Sequence, residues 1–205
     1  MGAKGGKMIT QTIKIPIMIH LSPYHQSLDQ IHAEMAIVRA AQEDIRKFEP
    51  IYTSYYPRIV SFIYQRVDDK ETAFEITSDV FYTALENLKK YRSEGKPFSA
   101  WLFRIAINKI NELFRKKKVQ RTINIETEGM QSLVGEISHE EIVTDQKLYA
   151  ALQSLDEDEL NLIEMRFFEN HSFKEICQII DLGESACKMR LYRILEKLKS
   201  TLKNI

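Results

Sequence analysis

Between Ala36 and Lys118 an otherwise unbroken helical pattern is interrupted only twice, which constrains the fold more than any other feature of the sequence. The first break is the polar turn Val67-Asp68-Asp69-Lys70. The second is Arg92-Ser93-Glu94-Gly95-Lys96-Pro97, where Gly and Pro stop a helix. Three helices are expected, over roughly residues 40–66, 70–90 and 98–118. In the first, Ile45, Phe48, Tyr52, Tyr55, Ile59, Phe62 and Ile63 recur at spacings of three or four, the period of a core-facing stripe. With seven glycines and five prolines in 205 residues, the chain has few places to turn, and an all-α protein is expected.

The helical pattern lapses from Val119 to Thr144, where Thr, Asn, Glu, Gly and Ser dominate, and residues 119–144 read as a linker. It resumes over residues 145–205 as four short helices. Asp156 with Glu159, and Ser172 with Glu175, have the spacing of capping boxes that open helices. Asn170 suits the left-handed residue that ends the helix before Ser172. Residues 1–35 begin with a Gly/Lys-rich tip and show no amphipathic period before Ile31, so they read as an extension open to disorder; a translation start at Met35 stays open. Two small helical domains are therefore expected, of three helices (36–118) and four helices (145–205), joined by the linker and making few mutual contacts.

Nothing in the sequence points to catalysis. There is no phosphate-cradling glycine loop, no HExxH and no GxSxG. His20, His25, His32, His139 and His171 are scattered, so no metal site, cofactor or catalytic residue is expected. Cys177 and Cys187 form no CxxC pair and fall on apolar helix faces, where they read as reduced packing residues. The apolar stretch Ile9 to Leu21 contains Lys14, Pro16 and His20 and precedes no small-residue cleavage site, which argues against a signal peptide or membrane anchor. A cytosolic protein is expected. The 29 basic residues are balanced by 29 acidic ones, so any nucleic-acid role must rest on local basic stripes.

One such stripe lies on the third helix. Arg104, Asn108, Asn111, Arg115 and Lys118 fall within roughly 80° of one another on a helical wheel. Phe98, Leu102, Ile105, Ala106 and Leu113 occupy the other side. Cations suit phosphates and Asn amides suit base edges; a solvated face is the competing reading, but such faces usually mix signs. Tyr91 and Phe98 bracket the preceding loop and could stack on unpaired bases. Trp101 is expected between helices in the core, with stacking on bases as the alternative.

The last two helices have the form of a helix-turn-helix. Phe173, Ile176, Cys177 and Ile180 make the apolar face of the first, and Asp181-Leu182-Gly183 makes the turn, with Leu182 expected inside. In the second, Cys187, Leu191, Ile194, Leu195 and Leu198 share one face. Ser185, Met189 and Arg193 point away from it, flanked by Lys188, Arg190 and Lys197. A packed back and a cationic front are what entry into the major groove requires.

These stretches resemble a known family. Ala73 to Phe81, then Phe98 to Asn108 with its basic tail, is similar to region two of the extracytoplasmic-function (ECF) bacterial sigma factors. Leu155 to Phe168, Ser172 to Ile176 and Cys187 to Arg193 resemble region four. The resemblance implies a factor that carries core RNA polymerase, through its β′ and β subunits, to promoter DNA and assists strand opening. It implies that Glu75 and Asp79 face the clamp helices of β′. Tyr91, Phe98, Arg104, Asn108, Asn111, Arg115 and Lys118 would engage the melted minus-ten strand. Ser185, Lys188, Met189, Arg190, Arg193 and Lys197 would serve the minus-thirty-five element. An anti-sigma factor is the implied inhibitory partner, and the free protein would be a monomer. Ser78 stands where the family often has Gln, and Asp181 where it usually has Gly; Asp tolerates the left-handed conformation better than most residues. The alternative is an autonomous helix-turn-helix regulator that binds duplex DNA as a symmetric dimer, without polymerase.

Overall fold

The computed structural model describes residues 27–117, 127–137, 143–169 and 171–204. All regular structure among them is helical. The helices are α1 (Leu28–Glu43), α2 (Glu49–Val67), α3 (Lys70–Asn87), α4 (Phe98–Lys117), α5 (Thr127–Ile137), α6 (Asp145–Gln153), α7 (Glu157–Ile163), α8 (Phe173–Ile180) and α9 (Glu184–Asn204). Asn170 and Lys118 lie outside the described residues.

Helices α2, α3 and α4 pack as expected around Ile59, Ile63, Ala73, Val80, Phe98, Leu102 and Ile110, all fully buried. Each large side chain of this kind contributes about 1.5–3 kcal/mol by leaving water. Phe48 meets Phe81 and Phe98 edge-on at 6.5 and 6.1 Å, closing the end of the core. The first helix is broken where a continuous one was expected. Asp44 accepts a hydrogen bond from the Arg46 amide and caps a 3₁₀ turn at Ile45–Phe48. That turn swings Ile45 out to 59% exposure, and Tyr52 is also exposed, so neither belongs to the buried stripe.

The expected extension and the expected linker each contain a helix. Helix α1 starts within the expected extension, under a Ser27/Gln30 capping box, and buries Ile31, Val38 and Ala41. Helix α5 lies within the expected linker and buries Leu133 and Ile137. Its Gly129 lies so close to the Phe167 carbonyl that a Cβ would come to 2.8 Å. The capping boxes at Asp156/Glu159 and Ser172/Glu175 form as expected. After α7 the chain widens into a π turn, Glu164–Phe168, where the Glu169 amide donates to the Glu164 carbonyl.

The expectation of few contacts between the two modules fails. Arg66, at the end of α2, is 1% exposed and reaches into the π turn of the second module. Its Nε lies 3.0 Å from Glu164, its Nη1 pairs with Glu169, and its guanidinium covers the Phe62 ring at 3.6 Å. His171 lies 3.4 Å from Glu169, and its ring meets Phe103 of α4 at 5.5 Å. Burial pushes the Glu169 carboxyl up, but Arg66 and His171 more than offset this and hold it below the ordinary value. A charge taken out of water needs a partner, so Arg66 and its two carboxylates fasten the modules together. No sequence period signals this pairing, because its members lie about a hundred residues apart.

Candidate nucleic-acid interface

Helix α4 begins under a carboxylate. Glu34 of α1 accepts from the Phe98 amide at 3.1 Å and from the Tyr55 hydroxyl, placing negative charge at the α4 N-terminus. The Gln42 side chain donates to the Leu88 and Tyr91 carbonyls at 2.8 and 3.0 Å. Helix α1 therefore pins both ends of the loop that precedes α4. Tyr91 and Phe98, expected to stack on bases, are buried instead: their rings meet at 5.1 Å and both pack on Trp101. Burial pushes the Tyr91 phenol up to about 12. They are scaffold, because a loop of this length gains its shape by burying its bracketing rings. Trp101, half-buried, is the ring that remains at the surface.

The outward stripe of α4 is only partly free. Asn108 and Arg115 are exposed, whereas Arg104 lies 3.1 Å from Asp181 in the helix-turn-helix turn. Asn111 accepts from Asn161 at 3.2 Å and donates to Asp158 at 3.5 Å, both on α7. Lys96, from the loop, also pairs with Asp181. An open cleft of about 400 Å³ lies here, lined by Lys90, Arg92, Lys96, Trp101, Arg104 and Asp181 among others.

Asp181 ends α8 with φ 59° and ψ 46°, the left-handed conformation expected for it, and its amide donates to Cys177. Leu182 is 37% exposed rather than buried, because the turn carries it past the core. Cys187, Leu191, Ile194, Leu195 and Leu198 bury the back of α9, with Cys177 facing Cys187. Burial, then the neighbouring Cys187, pushes the Cys177 thiol up to about 12. Ser185, Lys188, Met189 and Arg193 are exposed on the opposite side. Further along, Arg190 reaches Asp158 at 3.4 Å and Lys197 reaches Glu159. On α3, Glu75 and Asp79 are exposed one turn apart, while Ala73, Ile76 and Val80 face the core. Ser78 donates back to the Phe74 carbonyl.

Comparison with known proteins agrees with this geometry. The model of Sigma-70 region 2 matches residues 51–119, and that of Sigma-70 region 4 matches residues 145–198. The ECF RNA polymerase sigma factor BldN of Streptomyces coelicolor is 26% identical over 172 residues, 81% of this chain and 64% of BldN. The chain belongs to the ECF-type sigma factors of the sigma-70 family. The RNA polymerase sigma-H factor of Pseudomonas aeruginosa is 23% identical over 85% of this chain and 96% of its own length. The chain thus spans just under two thirds of the first relative and nearly all of the second. CnrH, solved in complex with the cytosolic domain of CnrY, shares the fold at a TM-score of 0.52 and 19% identity, over 84% of this chain and 98% of CnrH.

Within this sigma-factor chain, α2 to α4 make up region two and α6 to α9 region four. Among the described residues no helix is long and apolar enough to cross a membrane, and no cluster of His, Cys, Asp or Glu could hold a metal ion. Lys96, Asp158 and Asp181 are the residues of this region that the helical wheels do not single out. Lys96 and Asp181 stand in turns, where no face can be assigned, and Asp158 looks like any first-turn acid.

Proposed function

We propose that this sigma factor binds core RNA polymerase and directs it to promoters, non-catalytically and in the cytoplasm. The carrying observation is that one chain combines a region-two α4 with outward Arg and Asn groups and a region-four helix-turn-helix with a cationic front. Glu75 and Asp79, whose solvent position leaves their charge unspent in the fold, meet the β′ clamp helices, and region four meets β. Arg104, Asn108, Asn111 and Arg115, with Trp101 beside them, engage the opened minus-ten strand; Lys118, outside the described residues, is assigned to the same role from its helical-wheel position alone. Tyr91 and Phe98 serve by shaping the loop.

Ser185 and Met189 at the start of α9 approach base edges of the minus-thirty-five element, since a recognition helix enters the groove by its N-terminal residues. Lys188, Arg190, Arg193 and Lys197 lie along the rim and reach phosphates. The free protein is a monomer, and an anti-sigma protein restrains it, a partner that rests on family membership alone. The domain limits that go with this reading are 36–118 and 145–205, separated by 119–144. An autonomous regulator would have no use for the exposed acids of α3.

Run-off transcription by bacterial core polymerase tests the reading. Specific transcripts are expected only with the chain added. Reversing the charge at Asp79, and less so at Glu75, should weaken capture of core polymerase with the fold intact. Full transcription without the chain, or unchanged capture by both reversed variants, would sink it.

A further inference from the structure

We propose that Lys96 and Arg104 form one oxyanion site for a backbone phosphate of the opened promoter strand, and that Asp181 occupies it in the free protein. The inference rests on the region-two reading above and adds to it a residue, Lys96, and a competitor within the chain.

Both carboxylate oxygens of Asp181 are used across the seam: Oδ1 takes Lys96 Nζ, and Oδ2 takes Arg104 Nη2 at 3.1 Å. The two cations come from different segments, the loop and α4, yet converge on one small anion, as a phosphate site requires. The same cleft carries Lys90, Arg92 and the Trp101 ring, so a strand seated there would find further cations and a stacking surface. Asp181 itself stands in a left-handed conformation that glycine adopts with least strain. The side chain retained there makes its polar contacts with Lys96 and Arg104 of the other module. Lys96 and Arg104 hold the Asp181 carboxyl below its ordinary value, so it stays charged at neutral pH.

The contact is also built to be exchanged. Side-chain exposures are 33% for Lys96, 38% for Arg104 and 47% for Asp181, so water and salt reach every member. The buried fastening at Arg66 lies elsewhere, on α2 and the π turn. Asp181 can therefore leave the site by a shift of the α8–α9 turn without Arg66 giving up its partners. A single strand, carrying several phosphates and bases, can displace one carboxylate, and does so less well as salt rises.

The test uses the full chain and a fluorescein-labelled oligothymidylate of twelve nucleotides, followed by anisotropy across a salt series. Asp181→Asn keeps a side chain that tolerates the left-handed turn and removes the charge. It is expected to bind several-fold more tightly than the parent, with a salt slope steeper by about 0.7, the value of one added phosphate contact on single strands. Asp181→Gly, which suits the turn by another route, should show the same gain. Adding Lys96→Gln and Arg104→Gln should abolish it. Unchanged affinity in both Asp181 variants, or a gain that survives loss of the two cations, would overturn the proposal. Run-off transcription by the parent chain separates the readings. If the parent directs transcription while Asp181→Asn gains nothing, the competitor is wrong and the sigma reading stands. If the gain appears but no transcription does, the site is an oxyanion site and the promoter strand is not its ligand.

Discussion

Helices α4 and α9 both bury one side and turn Arg, Lys and amide groups outward, yet the first meets the rest of the molecule and the second opens on water. On α4, Arg104 is held by Asp181 and Asn111 by Asp158 and Asn161. On α9, Ser185, Lys188, Met189 and Arg193 are exposed, whereas Arg190 and Lys197, towards one edge, meet acids of α7. On the roles proposed above, the free chain presents the duplex-reading end ready to use and keeps part of the strand-binding stripe engaged. Duplex recognition would need no rearrangement, whereas strand capture would have to displace carboxylates. If both faces bind DNA as proposed, these acidic groups would set the order in which the two become available.

The most forceful way to break that contrast is to loosen the seam that holds α4 against the second module. Arg66→Ala leaves Glu164 and Glu169 buried without their cation, and should cost about 3–5 kcal/mol in urea unfolding. The loss should be similar at low and high salt, because the pair is screened by protein rather than water. A variant as stable as the parent would mean that the seam does not hold α4 in place.

Acid attacks the same seam more gently. The native Glu169 carboxyl lies below its unfolded value, so its contribution is fully present above about pH 5 and is lost as pH falls through the lowered native value. Stability should therefore fall as the solution is acidified below about pH 5, and fall less in Glu169→Gln, which has no such proton to take up. Equal acid sensitivity of the two proteins would show that other carboxylates carry the effect.

How much of this was legible in the sequence follows from where each interaction lies along the chain. Helix-scale regularity was readable: the α2–α4 core, the packed back of α9 and both capping boxes follow from spacings of three and four. Helix α5 was equally readable, since Met130, Leu133, Val134 and Ile137 keep the helical period, but the surrounding polar residues hid an element of 11 residues. Helix α1 announced itself through Ser27 and Gln30, masked by the unpatterned tip before it. The seam was not readable. Arg66 sits at the end of a helix where a solvated cation is ordinary, and nothing local says that its partners are Glu164 and Glu169. For the same reason the aromatic loop was misassigned: composition marks Tyr91 and Phe98 as rings, and only the tertiary fold decides that they face inward.

The reading end of α9 offers a sharper comparison. Ser185→Ala and Met189→Ala should change which upstream element is preferred, by about 1–3 kcal/mol per lost base contact, in transcription from a library of such elements. Asn108→Ala and Arg104→Ala should leave that preference alone and instead reduce permanganate reactivity of the opened strand. If Ser185 and Met189 variants keep the parental preference, the exposed end of α9 is not the reader.

The smallest expected effect separates two lysines that flank the outward face of α9 on opposite edges. Lys188 is exposed at the α9 rim, while Lys197, about two and a half turns on, donates to Glu159 at 2.5 Å. A lysine with no carboxylate to leave can give its whole charge to a phosphate. One that already neutralises a carboxylate must exchange it, and each step of that exchange is offset by the charge it exposes. Lys188→Ala should therefore reduce the salt slope for duplex DNA by about 0.9, one phosphate's worth, with weakening that is uniform across sequences. Lys197→Ala should change the slope by clearly less, and Glu159→Gln should restore to Lys197 the full effect, because the amide no longer competes with phosphate. The Glu159 capping contact to the Asp156 amide tolerates the amide, so the helix start survives the change. Equal slopes for Lys188→Ala and Lys197→Ala in the parent background would mean that the α7 acids do not tune the DNA face of α9, and the contrast between its two ends would reduce to distance from the groove.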